Sequence, residues 1–208
     1  AYKFVKLHFT SELGTDVEAE LVKDHIWVGG GCTTPGGVYF DPNMPTEECF
    51  CMPLKTGACG IVYASKPLDY EGKVIDGFWL RFENGKAVEF GAEKEEEALA
   101  QLLSFDEGSS YLGEVALVPY DSPISQSGIL FFNTLYDENA ACHLALGRAY
   151  PENLVGGTEM SKEELAAHGS NDSMQHVDFM IGTADMSIDA VCEDGSIVPV
   201  FRDGNWAF

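Results

Sequence analysis

Apolar positions along this chain recur mostly every second residue, the period of a strand with one covered face. Tyr2 to Phe9 and Val17 to Val28 read as strands on either side of a turn at Gly14. From Gly60 to Phe90 the pattern is again that of strands. It ends in a hairpin in which Asn84-Gly85 joins Phe78–Glu83 to Lys86–Phe90 as a two-residue turn. A short apolar strand follows at Glu114 to Val118, and a last hairpin runs from Met186 to Phe201 about Asp194-Gly195.

Only a few segments take the period of a helix. Glu93 to Ser104 spaces Ala98, Leu99, Leu102 and Leu103 for one buried face and puts acidic residues in its first turns. Asp137 to Leu146 has Asp137 as an N-cap, an Ala-rich body and Gly147 as a stop, and so predicts a second helix carrying His143. Ser161-x-x-Glu164 is a capping box opening a short helix that ends at Gly169. Together these elements predict one β-rich α+β domain over residues 1–208, with no repeat or long linker.

Chemistry gathers first around Gly169 to Gly182, GSNDSMQHVDFMIG. Alternation from His176 to Ile181 puts His176, Asp178 and Met180 on one face, and Val177, Phe179 and Ile181 on the other. Along a flat strand His176 and Asp178 stand about 7 Å apart, too far for a direct hydrogen bond but suited to two ligands converging on a metal. A buried histidine hydrogen-bonded to a surface aspartate is the plainer alternative. Glu47 and Glu48 follow two closely spaced prolines, Pro42 and Pro45, as either metal ligands or a solvated edge. Glu114 sits at the end of a buried strand, an expensive place for a charge unless it is paired or coordinated. His143, flanked by small residues, is either a ligand or a satisfied core histidine. Counted together, Glu48, Glu114, His143, His176 and Asp178 form a set suited to a pair of divalent ions and too rich for one structural zinc.

Charge narrows the partners. With 34 acidic against 12 basic side chains and a formal net charge of −22, the chain is unsuited to nucleic acid or anionic membrane surfaces and favours cations. The glycine-rich stretches lack the strand and helix that a nucleotide loop needs. Six cysteines without a C-x-x-C pair predict a reducing, cytoplasmic setting. Apolar runs such as Ile129 to Phe132 are too short to span a membrane, and no basic stretch precedes an apolar leader. The chain opens on Ala1 in a strand pattern, as a piece of something longer would. Cys142 beside His143 suggests a cysteine hydrolase, but neighbours on a helix point about 100° apart, which keeps those two from facing each other.

Four stretches carry a resemblance: NMPTEE at Asn43–Glu48, YLGEVALVP at Tyr111–Pro119, NTLYDENAACHLALGRAY at Asn133–Tyr150, and GSNDSMQHVDFMIG. In this order they are similar to the C-terminal catalytic half of the M29 family of metalloaminopeptidases, over nearly the whole chain. The family's upstream domain has no counterpart in these residues. The resemblance implies metal ligands at Glu48, Glu114, His143, His176 and Asp178, with Tyr150 as the active-site tyrosine. It implies two divalent ions (zinc, cobalt, manganese or magnesium), a water activated between them, peptide substrates with a free N-terminus, and a homodimer in the full-length protein. Such a hydrolase needs a carboxylate outside the metal shell to carry the proton, and Glu47 is the nearest in sequence. A non-catalytic metal-binding module that needs the missing half for activity is the other expectation. Cys49, Cys51 and Met52 make the first motif unusually rich in sulfur for the family.

Overall fold

The computed structural model describes residues 3–41 and 47–208. Two antiparallel sheets dominate. The larger runs in the order Lys86–Gly91, Trp79–Glu83, Pro53–Tyr63, Asp16–Leu21, Phe4–Thr10, Ser187–Cys192, Ile197–Arg202 and Asn205–Trp206. The smaller runs His176–Met180, His143–Gly147, Leu112–Leu117, Cys49–Cys51 and Val28–Gly29. One continuous core of Leu7, Phe9, Leu80, Phe82, Leu99, Leu144, Phe179 and their neighbours binds the two sheets together. Among the described residues no helix is long and apolar enough to cross a membrane.

The sheets differ in how their faces are covered. In Phe4–Thr10 Leu7 and Phe9 are buried, while Lys6 and His8 reach Glu18 and Asp16 across the strand pair at 2.8 and 2.7 Å. In the smaller sheet every residue of Leu112–Leu117 and of His143–Gly147 is buried. Any charge there must be met by partners rather than by water.

Both hairpins form about Asn84-Gly85 and Asp194-Gly195. Ser161 caps the helix Lys162–Ala167 in a reciprocal box with Glu164. The first predicted helix is shorter than its periodicity suggests, Glu96–Leu103, because Glu95 takes a left-handed conformation with φ 57°. The strand read through Val28 stops at Leu21. Asp24, at φ 61°, turns the chain there, and Val28–Gly29 resumes in the smaller sheet.

The helix expected at Asp137–Leu146 is a correction. Helix occupies Thr134–Asp137 under an Asn133 cap, and a 3₁₀ turn covers Glu138–Ala140. Ala141 is then extended, and His143–Gly147 is a strand held between two others. Asp137 is no cap. Its carboxylate accepts the amides of Phe131 and Asn133 at 2.7 and 3.0 Å. Cys142, Leu144 and Leu146 alternate toward the core, and pairing on both edges overrides the helical propensity of the alanines.

Candidate metal centre

The site is built on one face of the smaller sheet. Across three strands Glu114, Ala145 and Asp178 lie in register, and the next rows pair Ala116 with His143 with Met180, and Gly147 with His176. Chelating side chains thus alternate with Ala145, Ala116 and Gly147, which have little or no side chain, while Met180 completes the second row. The register slips between Leu112 and Glu114, a bulge at Gly113 beside the site. A Cβ at Gly113 would lie 2.4 Å from the carbonyl oxygens of Gly147 and Arg148, so only glycine allows the strands this close.

His143 Nε2 is 3.1 Å from Glu48 Oε2 and 3.4 Å from Glu114 Oε1. His176 Nε2 is 3.0 Å from Asp178 Oδ1 and 3.8 Å from Glu114 Oε2. The five residues named from the sequence therefore meet, as two triads that share Glu114. The flat-strand spacing of His176 and Asp178 is closed by their side chains, which lean together into direct contact.

The imidazoles are held from behind. His143 Nδ1 donates to the Ala141 carbonyl at 3.1 Å and His176 Nδ1 to that of Arg148 at 2.7 Å, so each ring is oriented through its Nδ1–H and turns its Nε2 to the cluster.

Burial and charge work against each other here. Burial raises the Glu114 carboxyl above its usual range, partly offset by His143 beside it. Burial would lower both imidazoles. The Glu114 and Glu48 carboxylates nevertheless hold His143 well above its ordinary value, and Asp178 with Glu114 lifts His176 to about 9. Asp178 stays low despite its burial because His176 and His143 face it.

The donors fit a divalent cation. Glu48 Oε2, His143 Nε2 and Asp178 Oδ1 are buried without an aligned hydrogen bond, although each lies near another polar atom. Such groups are costly unless something between them satisfies them. Donors about 2.0–2.2 Å from a tetrahedral ion stand roughly 3.3–3.6 Å from one another. The contacts of 3.0 to 3.8 Å straddle that spacing.

Tyr150 reaches the same place. Its ring centroid is 4.5 Å from that of His176 and 6.4 Å from that of Phe50. Burial and then the charges of Asp178 and Glu114 push its hydroxyl pKa up, so it keeps its proton. Glu47 is half-buried, with its amide donating to Asn139 Oδ1 at 2.7 Å, and the prolines ahead of it lie outside the described residues.

Glu138 was missed in the sequence. It stands on the 3₁₀ turn packed against the His176 strand, beside the Asn139 that holds Glu47. Burial, then Asp178 and Glu48, push its carboxyl up to about 8. The helix expected over Asp137–Leu146 gave no reason to bring Glu138 near the other carboxylates.

Cys142 points to the opposite face from His143, its thiol donating to the Val118 carbonyl at 3.3 Å, and burial pushes its pKa up to about 12. A buried, bonded thiol is no nucleophile.

What the fold and the buried donor set define is a candidate metal centre in a β-rich α+β domain. The family model described as thermophilic metalloprotease (M29) matches residues 1–206, and the chain belongs to this family. It is 55% identical over 205 residues to aminopeptidase AmpS of Bacillus subtilis (strain 168), covering 99% of this chain and 50% of that protein. Aminopeptidase 2 of Geobacillus stearothermophilus is 58% identical over 189 residues, covering 91% and 46%. The solved structure of wild-type AmpT from Thermus thermophilus superposes with a TM-score of 0.93 at 48% identity, covering 99% of this chain and 50% of that one. The chain thus spans about half the length of the curated relatives it matches.

Proposed function

We propose that this chain is the metal-binding catalytic part of an aminopeptidase, releasing the first residue of peptides that have a free N-terminus. The observation that carries this reading is the pair of ligand triads joined by Glu114, Glu48–Glu114–His143 and Glu114–His176–Asp178. Such a set would hold two divalent ions, zinc, cobalt, manganese or magnesium by its mix of imidazole and carboxylate. A divalent ion so held supplies Lewis acidity, polarising a carbonyl oxygen and bringing the pKa of a water to about 7.

The chain's own residues do the rest. His143 and His176 stay in one tautomer because Ala141 and Arg148 take their Nδ1 protons. Glu47 takes a proton from the attacking water and hands it to the leaving amine. Tyr150 donates its hydroxyl to the oxygen on which negative charge develops. The surplus carboxylates favour the substrate's ammonium group, and the full-length protein works in the cytoplasm as a homodimer.

The test is hydrolysis of leucyl amide by this chain beside a full-length relative. Activity is expected to vanish with EDTA, return with cobalt or zinc and survive thiol alkylation. Activity that survives EDTA would contradict the proposal. Tyr150→Phe is expected to keep its metal and to slow turnover by roughly 10²- to 10³-fold, the range for one oxyanion donor.

A further inference from the structure

Outside the centre, the most heavily bonded carboxylate of the described residues is Asp106, and none of its bonds goes to a residue of the proposed site. Its Oδ1 accepts the Gly108 amide at 2.9 Å and the hydroxyls of Ser109 and Ser173 at 2.8 and 2.9 Å. Its Oδ2 accepts the Met174 amide at 2.7 Å and the Ser173 hydroxyl at 3.0 Å. Ser109 and Asp106 also close a reciprocal cap on the 3₁₀ turn Glu107–Ser110.

What these bonds hold is the lead-in to the His176 strand. The oxygen of Ser173 takes the Gln175 amide at 3.2 Å, and Gln175 Nε2 reaches back to the Leu102 carbonyl at 2.8 Å. The Gln175 carbonyl accepts the Arg148 amide at 2.8 Å, and Arg148 in turn receives His176 Nδ1. The approach is tight, since a Cβ at Gly108 would lie 2.0 Å from the Asp172 carbonyl oxygen. Among the residues of this chain of hydrogen bonds Asp106 supplies the one carboxylate. Burial would raise its carboxyl, but the Met174 and Gly108 amides and the hydroxyls of Ser109 and Ser173 keep it at about 2.

We propose that Asp106 is a positioning residue for the metal centre: by gathering Ser173 and the Met174 amide it fixes where the strand His176–Met180 starts, and so where His176 and Asp178 meet Glu114. This rests on the two-ion reading above and adds that the two ligand triads depend unequally on one remote carboxylate. Glu48 precedes the strand Cys49–Cys51 and His143 opens the strand His143–Gly147, and Asp106 bonds to neither.

The test is Asp106→Asn, which keeps the shape but sets an amide donor against either the Met174 amide or the Gly108 amide. Cobalt is titrated into the chain and followed by visible absorption, and the histidine ring resonances of the metal-free chain are compared by NMR. The parent chain is expected to take two equivalents. The variant is expected to weaken one of them by about 10- to 100-fold, as loss of a supporting partner does, and to leave the other unchanged. His176 ring resonances should shift while those of His143 stay. Ser173→Ala, which removes a single hydroxyl, is expected to act in the same direction with a smaller effect, and it decides the matter if Asp106→Asn does not fold.

Unmoved His176 resonances with both affinities intact would overturn the proposal. So would equal weakening of both ions with His143 shifted as well, the result of general loosening. A parent chain that takes no cobalt contradicts the two-ion reading instead, and the ring resonances then decide on Asp106 alone.

Discussion

Glu114→Gln is expected to abolish binding at both ion positions at once and to remove peptide hydrolysis with it. Glu114 is the only residue common to the two triads, with one oxygen 3.4 Å from His143 and the other 3.8 Å from His176. An amide keeps the volume but loses the charge and one of the two acceptor oxygens. The fall in affinity should exceed the roughly 10- to 100-fold that loss of an outer partner causes, since a ligand itself is lost. Folding should survive, because the variant removes a buried charge whose carboxyl burial already holds above its usual range. Isothermal titration with zinc checks this against His143→Ala, which should empty one position and spare the other. Retention of one full equivalent by Glu114→Gln would show that the triads are independent.

The second large effect separates the carboxylates at the edge of the site. Glu48→Gln should lose metal, because Glu48 stands 3.1 Å from His143 inside a triad. Glu47→Gln should keep both ions and still lose about 10²- to 10⁴-fold in turnover, the range for a general acid–base group. Glu138 is the competitor for that role. It shares the corner through Asn139, and burial with the charges of Asp178, Glu48 and Glu114 pushes its carboxyl up to about 8. Glu138→Gln is therefore measured alongside, for both metal content and rate. Full turnover in Glu47→Gln together with a collapse in Glu138→Gln would move the proton transfer to Glu138.

Much of the outer architecture could be read from local chemistry. Asn84, Gly85 and Gly195 supply the left-handed conformations that their hairpins need, and Ser161 with Glu164 caps its helix as the spacing says. The alternation of His176 and Asp178 also survives folding. What stayed hidden depends on distant pairing. His143 lies in an alanine-rich stretch that would be helical alone and becomes a strand because Leu112–Leu117 and His176–Met180 pair with its two edges. The same change puts Glu138 on a 3₁₀ turn at the flank of the site. Asp106 is separated from Met174 by 68 residues, so no local pattern signals their bond. Residue types pointed to the five residues, but only the register, Glu114 beside Ala145 beside Asp178, explains why they meet.

The central claim is that this chain holds two divalent ions through one shared glutamate. Metal content of the purified chain, measured by mass spectrometry after equilibration with zinc or cobalt, tests it most directly when the parent is set beside a His176→Ala, Asp178→Ala double variant. The account predicts two ions per parent chain and one per variant chain, with the variant still folded. A parent chain that holds no more than one ion, or a double variant that keeps both, would contradict it.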